Sequence, residues 1–286
     1  MRVGVISGRT AAGAGLAIAG VAAALLLVGA GRSAASAEDA KLTVSLPPAA
    51  SDRIYGAERA AGRPIVVIDA GHGGTDPGAI SVSGEAREKE LTLALAREVR
   101  DILVERGRLR VAMTRDEDRY LTLDDRAGVA RRLGASLFVS LHMDSAPNPL
   151  ARGASIYSLS DVASDAEAAR FAAAENRNAA SSAAGQGSVR ALLADLAVRD
   201  QMSASADFAT RLTRKSAGRF ELRPDPHRFA GFHVLRQSQT PAVLFEAGYI
   251  SNADDELLLR SPEYRRKIAL ALAQAIEADV AARNSR

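Results

Sequence analysis

Residues 65–74 read Ile-Val-Val-Ile-Asp-Ala-Gly-His-Gly-Gly, a β-branched aliphatic run that ends in a glycine-rich turn carrying His72. A run of this kind predicts a buried strand. The pattern recurs at residues 137–142, Leu-Phe-Val-Ser-Leu-His, which end on His142, and the chain has only four histidines. Side chains at the carboxyl ends of parallel strands point into the crevice where open α/β sheets bind ligands. We therefore expect the two histidines to meet at one sheet edge, where a metal site would be built.

Strands and helices alternate from residue 64 onward. Strands are predicted at residues 65–70, 109–114, 136–141, 153–159, 231–236 and 241–246, and helices at about 88–106, 122–134, 165–182, 188–217 and 261–283. Such alternation predicts an α/β fold, with a single domain built on a largely parallel, twisted β-sheet that has helices on both faces. A composition that is 47% hydrophobic is sufficient to bury one sizeable core.

The first 37 residues have the features of a secretory signal peptide. Arg2 and Arg9 precede an apolar stretch from about 11 to 30, and Ala35-Ser36-Ala37 has the small-x-small pattern of a cleavage site. We expect cleavage after Ala37, export to the periplasm or cell envelope, and no stable membrane span afterwards. An uncleaved membrane anchor is the alternative, because the stretch is nearly long enough to cross a bilayer. Residues 38–62 lack sustained periodicity and are predicted to be a linker.

The composition excludes several classes of function. The leader carries three of the 37 basic residues and none of the 34 acidic ones, so the remaining chain is balanced and its basic pI does not indicate nucleic acid. The absence of tryptophan and the low aromatic content argue against a base-stacking surface. The absence of cysteine excludes a disulfide framework, a thiolate nucleophile and cysteine zinc ligands. Any metal must be held by histidine and carboxylate.

Two glutamates complete the candidate site. Glu88 falls on the apolar stripe that continues at Leu91 in the first predicted helix, where a charge needs a partner or a metal. The alternative is a helix-start acid favoured by the macrodipole. Glu246 ends another apolar run. His72, Glu88 and His142 would make a three-ligand zinc site with an open fourth position, which leaves Glu246 available as a base.

Five segments carry a resemblance to a known family: DAGHGGTDPGA at 69–79, REKEL at 87–91, SLH at 140–142, RGAS at 152–155 and EAGYISN at 246–252. In order and spacing, over about residues 64–280, they resemble the zinc-dependent N-acetylmuramoyl-L-alanine amidases that split septal peptidoglycan. The resemblance implies that His72, Glu88 and His142 bind one zinc ion and that Glu246 is the catalytic glutamate. It also implies hydrolysis of the amide between N-acetylmuramic acid and L-alanine, in cell-wall remodelling and daughter-cell separation.

We therefore predict that residues 63–284 form the catalytic domain of a monomeric peptidoglycan amidase. Two alternatives are a non-catalytic peptidoglycan-binding or regulatory protein that retains the fold, and a metallopeptidase that cuts within the stem peptide. The glycine-rich turn lacks the Gly-Lys-Ser/Thr ending of a phosphate-binding loop. Ser140 lacks the G-x-S-x-G setting of a serine hydrolase.

Residues 161–218 are predicted to be a regulatory helical insertion, because the stretch between the flanking strands is far longer than one crossover helix requires. Some members of the family use a helix here to occlude the site, so an activator protein of the division machinery is an expected partner. Glu167 or Glu175 would then take the fourth zinc position, whereas the alternative is that both are solvated. An apolar surface for packing or for a partner is offered by Leu192, Leu193, Leu196 and Val198.

Five further residues are expected to have supporting or structural roles. Asp69 either orients a ligand imidazole or hydrogen-bonds the glycine-rich turn. His227 and His233 are expected to be structural or substrate-facing rather than metal ligands. Arg115 and Arg126 match family positions, although solvation or pairing with a carboxylate is the simpler account.

Overall fold

A computed structural model describes residues 50–179 and 189–285 of the 286-residue chain, apart from positions 51, 57 and 59. The predicted signal peptide, most of the predicted linker and the Ala/Ser/Gly-rich stretch at 180–188 lie outside the described residues. No helix within the described part is long and apolar enough to cross a membrane.

One seven-stranded sheet organises the described part of the chain. Its strands are β1 (Ile54–Tyr55), β2 (Ile65–Ala70), β3 (Arg110–Met113), β4 (Leu137–Asp144), β5 (Ala154–Leu159), β6 (Leu222–Ala230) and β7 (Ala242–Tyr249). They lie in the order β1-β3-β2-β4-β7-β5-β6. The β1–β3 and β5–β7 pairs are antiparallel and the other four neighbouring pairs are parallel. The predicted α/β fold with a largely parallel sheet is confirmed.

Helices cover both faces of the sheet. They are α1 (Glu88–Arg106), α2 (Leu123–Leu133), α3 (Ala166–Glu175), α4 (Val189–Ser216), α5 (His233–Ser238), α6 (Ala253–Arg260) and α7 (Pro262–Asn284). Side chains of α1, α4 and α7 share one hydrophobic core with Val66 and Ile68 of β2. Val67, which points to the opposite face, lies in a second core with residues of α2, α3 and α5. A strand buried on both faces explains why β2 reads as a continuous apolar run.

The structure corrects the predicted strand at 231–236. Helix α5 begins at His233 within that range, with Phe232 as its N-cap, and the strand is Leu222–Ala230 instead. Pro224 and Pro226 lie in this strand and make its sequence look like a loop. Because β6 is the last strand in the sheet order, the ladder hydrogen bonds that these prolines cannot donate are not required on its open side.

The structure differs from the prediction in three smaller ways. Helix α3 ends at Glu175 and continues as a 3₁₀ turn at Asn176–Asn178, so it is shorter than the predicted 165–182. Helix α6 was not predicted, and Asn252 caps its first turn by accepting from the backbone N–H groups of Asp254 and Asp255. Strand β1 falls within the predicted linker.

Candidate metal centre

The turn that follows β2 aims His72 into the crevice at the carboxyl edge of the sheet. His72 has φ of 58°, a left-handed conformation that few non-glycine residues adopt and that persists only where the surroundings enforce it. The surroundings include a hydrogen bond from Arg126 to the His72 carbonyl, at 2.6 Å. The imidazole Nδ1 lies 3.0 Å from Asp76 Oδ2, which leaves Nε2 facing the crevice. Asp76 therefore orients the imidazole as a carboxylate partner does in metal sites.

Glu88 lies in the first turn of α1 and is 4% exposed. Its carboxylate accepts hydrogen bonds from the backbone N–H groups of Ala79, at 2.8 Å, and Met143, at 2.9 Å. Burial alone raises its pKa, but the two histidines beside it hold that pKa well below its usual range. Glu88 is thus a fixed, ionised carboxylate on the buried face of the helix, whereas Glu85 and Glu90 are exposed.

The structure brings His142 to the same place. His142 Nδ1 lies 3.1 Å from Glu88 Oε1, and His72 Nε2 lies 3.1 Å from Glu88 Oε2. One ligand atom from each of these three side chains lies within 4.8 Å of the others. The structure thus brings together the two strand-end histidines and the helix-start glutamate, as the sequence predicted.

Two glycines make room for this cluster. A Cβ atom on Gly71 would lie 2.4 Å from Cε1 of His142, and one on Gly78 would lie 2.6 Å from Oε2 of Glu88 and 2.7 Å from Cδ2 of His72. Contacts that short do not occur between real side chains. Gly78 also has φ of 67°, which favours glycine. The glycine-rich motif therefore packs backbone directly against the cluster.

The donor set fits a tetrahedral cation. Ligand atoms bound at about 2.0–2.1 Å from zinc in a tetrahedral site lie about 3.3 Å apart. The two histidine contacts to Glu88, each to a different carboxylate oxygen, are close to this at 3.1 Å. The buried His72 Nε2 is near Glu88 but lacks the alignment of a hydrogen bond. Burial lowers the pKa of His72, yet the carboxylates of Glu88 and Asp76 outweigh it and raise that pKa to about 11. The cluster thus attracts positive charge, and His-Glu-His is a donor set that zinc accepts.

Glu246 lies beside the cluster on β7, in register with His142 of β4. It is fully buried, and neither carboxylate oxygen makes an aligned hydrogen bond to the described residues. Burial, followed by the carboxylates of Asp144, Glu88 and Glu175, raises its pKa well above the usual range. A buried carboxyl group without a partner is costly, and such groups cluster at functional sites.

Sequence reasoning missed two acids near the cluster. Asp76 contacts His72, and Asp144 is buried two residues after His142, where burial raises its pKa to about 7. Asp76 follows His72 by four residues within the quoted glycine-rich motif, so a search for an imidazole partner inside that motif would have found it. Asp144 follows the part of β4 that was predicted as strand.

Asp69 makes no hydrogen bond to a described imidazole, so that alternative is wrong. Its buried carboxylate accepts hydrogen bonds from Thr114 Oγ1 at 2.6 Å, Ser140 Oγ at 2.6 Å and Arg126 Nη1 at 2.9 Å. Although burial raises the pKa of Asp69, these partners hold it below the usual range. Asp69 supports the glycine-rich turn indirectly, because it positions Arg126.

Two buried arginines bind the carbonyl groups of that turn. Arg126 donates to the carbonyls of Ala70, at 2.7 Å, and His72, while Arg115 donates to those of Ala70, at 2.9 Å, and Gly71, at 2.8 Å. The carboxylate pairing expected for Arg126 is present. Arg115 is fully buried and bound mainly to backbone carbonyls, so neither solvation nor a carboxylate accounts for it.

The remaining two histidines lie away from the cluster. His227 Nε2 is 2.9 Å from Ser158 Oγ, and His233 Nε2 is 3.0 Å from Asp124 Oδ1. Neither belongs to a metal-ligand cluster among the described residues.

Helix α3 lies over the crevice. Glu175, at its carboxyl end, has Oε2 at 3.6 Å from His142 Nδ1 and 3.9 Å from His72 Nε2. Phe171 packs in the middle of the helix against Tyr157, with ring centroids 5.3 Å apart. Glu167, at the amino end, is bound by arginines of β6 rather than by the cluster.

Comparison with known proteins agrees with this geometry. The family model for N-acetylmuramoyl-L-alanine amidase matches residues 66–278. N-acetylmuramoyl-L-alanine amidase AmiA of Escherichia coli K12 is 34% identical over 226 residues, which are 77% of this chain and 77% of AmiA. AmiC of Neisseria meningitidis is 34% identical over 220 residues, which are 75% of this chain and 52% of AmiC.

A solved structure extends the similarity to the fold. The catalytic domain of CwlV, an N-acetylmuramoyl-L-alanine amidase from Bacillus (Paenibacillus) polymyxa var. colistinus, is 30% identical and superposes with a TM-score of 0.58. The match covers 75% of this chain and 97% of that domain. This chain belongs to the N-acetylmuramoyl-L-alanine amidase family of peptidoglycan hydrolases.

Proposed function

We propose that the chain cleaves the N-acetylmuramoyl-L-alanine amide with zinc held by His72, Glu88 and His142 and with Glu246 as the general base. The observation that carries the proposal is the placement of a buried carboxylate without an aligned partner beside three converging metal donors. Zinc bound there would polarise the amide carbonyl and lower the pKa of the attacking water to about 7.

Glu246 would move the proton. It accepts a proton from the attacking water and passes it to the leaving amine of L-alanine, a contribution typically worth about 10²–10⁴-fold in rate. The burial and neighbouring carboxylates that raise its pKa favour the protonated intermediate state between these two transfers. Hydrogen bonds from two backbone N–H groups hold the Glu88 carboxylate in place as a ligand, and Asp76 fixes the tautomer of His72.

We also propose that residues 161–218 restrict access to this centre. Of the two acids predicted to take the fourth ligand position, Glu175 is the one near both histidines. Phe171 anchors the helix on the sheet, and Asn176 anchors its end by donating to the Gly231 carbonyl at 2.7 Å. An activator protein of the division machinery would open the site by displacing α3.

Helix α4 offers part of a surface for such a partner. Leu196 is 50% exposed, whereas Phe208 and Leu212, nearer the carboxyl end of the helix, are buried in the core. The side chains of Leu192 and Leu193 lie outside the described part. The amino-terminal part of α4 is therefore the part that a partner would contact.

Export to the periplasm or cell envelope as a monomer, with cleavage after Ala37, completes the proposal. The motivation is the charged start, apolar core and small-residue pattern of the leader. Amino-terminal sequencing of the exported protein is expected to begin at Glu38. A full-length, membrane-retained product would favour the anchor.

Mass spectrometry of muropeptides digested by the zinc-loaded full chain tests the proposed reaction. Glu175→Ala should be included so that the centre is open. We expect peptides with a free amine on L-alanine, and none from the matched Glu175→Ala, His142→Ala double variant. Cuts within the stem peptide would favour the metallopeptidase, and the absence of any cut would favour a binding protein.

A further inference from the structure

The carboxylate of Glu167 is bound by a built site on the sheet. Arg223 of β6 holds it as a fork, with Nη1 at 2.7 Å from Oε1 and Nη2 at 3.1 Å from Oε2. Arg228 of the same strand donates to Oε2 at 3.2 Å. Tyr249 of β7 donates its hydroxyl to Oε1 at 3.2 Å. Bidentate arginine contacts of this kind are the strong, geometrically specific way of recognising a carboxylate.

The groups that bind this carboxylate belong to the sheet, whereas the carboxylate belongs to α3. Arg228 is 6% exposed and Tyr249 is fully buried. Besides Glu167, Arg228 pairs with Asp165, the residue that caps α3. If α3 leaves, both acids leave with it. The two guanidinium groups of the sheet then lose their carboxylate partners and are available to another anion.

Helix α3 forms part of the boundary between this site and the metal centre. The crevice that contains the three metal donors and a neighbouring groove of about 530 Å³ share four lining residues: Glu167 and Arg170 on α3, and Ala146 and Pro147 on the loop that follows β4. Arg223 lines the groove. Displacement of α3 would therefore remove its share of this boundary and open the groove toward the metal centre.

We propose that Arg223 and Arg228 form a subsite for a free carboxylate of the stem peptide, and that Glu167 occupies this subsite as a substrate mimic while α3 is in place. The proposal rests on the proposed function for the identity of the ligand. In that substrate the lactyl carboxyl of the muramic acid is used in the scissile amide, so the free carboxylates belong to the peptide. The subsite therefore recognises the peptide side of the substrate.

The spacing on α3 agrees with this assignment. Glu167 and Glu175 are eight residues apart, which corresponds to about 12 Å along a helix. An extended peptide rises about 3.3–3.6 Å per residue, so the subsite lies about three to four residues from the metal centre. A carboxylate beyond L-alanine in the stem peptide can span this distance from the metal centre to the subsite.

The alternative is that the Glu167–Arg223 pair only latches α3 to the sheet. A latch has no preference for the charge of the substrate, and this difference separates the two accounts. Glu167→Gln removes the mimic and leaves Arg223 and Arg228 in place. In the Glu167→Gln background, a second change Arg223→Gln removes the proposed carboxylate contact, whereas Arg223→Lys keeps part of it.

Calorimetric titration of zinc-loaded full-length protein tests the subsite. The probes are a soluble stem peptide with free carboxylates and the same peptide with those carboxylates amidated. We expect Glu167→Gln to bind the free-carboxylate peptide about tenfold or more tightly than the amidated one. Adding Arg223→Gln should abolish that preference, and adding Arg223→Lys should keep part of it.

Equal affinity of Glu167→Gln for the two peptides would overturn the subsite and leave the latch, and this comparison does not depend on whether the arginine variants fold. Release of peptides with a free L-alanine amine is scored separately in the Glu175→Ala variant. That assay reports on the proposed amidase reaction, so failure of one proposal is distinguishable from failure of the other.

Discussion

The metal centre and helix α3 meet in one crevice but are held there by different means. The candidate centre is carried on strand ends and the start of α1, and the Glu88 carboxylate is bound by backbone N–H groups and packed against Gly78. Helix α3 packs Ala168, Phe171 and Ala172 into the second core and makes polar contacts at its two ends. Those polar contacts are made by the side chains of Glu167 and Asn176.

The proposed function assigns a fixed role to the centre and a displaceable one to α3. Substitutions in the centre should remove metal, stability or turnover. Substitutions on α3 should increase turnover and leave the fold intact. Because these two effects have opposite signs, measurements of turnover can distinguish the roles of the two regions.

The largest effect is expected from Glu246→Gln. Glutamine keeps the size of the side chain but cannot accept the proton, so turnover should fall by about 10²–10⁴-fold while zinc content stays unchanged. Turnover on cell walls and metal analysis check this in a Glu175→Ala background. Glu90→Gln, an exposed acid on α1, is the matched control. An unchanged rate would remove Glu246 from the mechanism.

The next effect concerns the buried ion pair beneath the glycine-rich turn. Arg126→Met leaves Asp69 charged and buried, so the free energy of unfolding should fall by about 3–5 kcal/mol. Arg132→Met, on the same helix, breaks an exposed pair with Asp52 and should cost about 1 kcal/mol or less. Urea denaturation measures both. Equal losses would show that the turn does not depend on the pair.

A smaller effect is expected where Asp76 orients His72. Asp76→Asn weakens the acceptor for the imidazole Nδ1–H, so zinc affinity should fall by about 10–100-fold. Asp118→Asn is the control, because Asp118 accepts a hydrogen bond from the same turn, at Gly74, without contacting a histidine. Competition with a zinc chelator measures the affinities, and similar values for the two variants would contradict the role of Asp76.

The smallest effect, and the one with the opposite sign, belongs to Glu175→Ala. Glu175 makes no hydrogen bond among the described residues beyond its approach to the two histidines, so its removal should free the centre at little cost to stability. We expect wall hydrolysis without an activator to rise by about tenfold. A folded, zinc-loaded variant with unchanged or lower hydrolysis would show that α3 does not inhibit.

Sequence reasoning succeeded where a short pattern fixes the geometry. The apolar run at 65–70 gives the bounds of β2, and the helical stripe places Glu88 on the buried face. In a parallel sheet, strand ends that carry His142 and Glu246 must share an edge, so the convergence follows from topology.

Sequence reasoning failed where the role of a residue depends on its position in the tertiary structure. The prolines of β6 are tolerated because that strand is at the edge and because they fall where its register with β5 shifts, and neither sheet order nor register is readable from local composition. Glu167 and Glu175 are equivalent as acids on one predicted helix, and only the packing of α3 assigns one to the arginines and the other to the histidines. The role first considered for Asp69 belongs to Asp76 for the same reason.

Anomalous X-ray scattering from crystals of the zinc-loaded full chain, measured at the zinc absorption edge, tests the central claim most directly. We predict one strong anomalous peak per chain, bounded by His72, Glu88 and His142 with the carboxylate of Glu175 beside it. A peak coordinated by other residues, or the absence of a peak in protein that retains zinc in solution, would contradict the assignment.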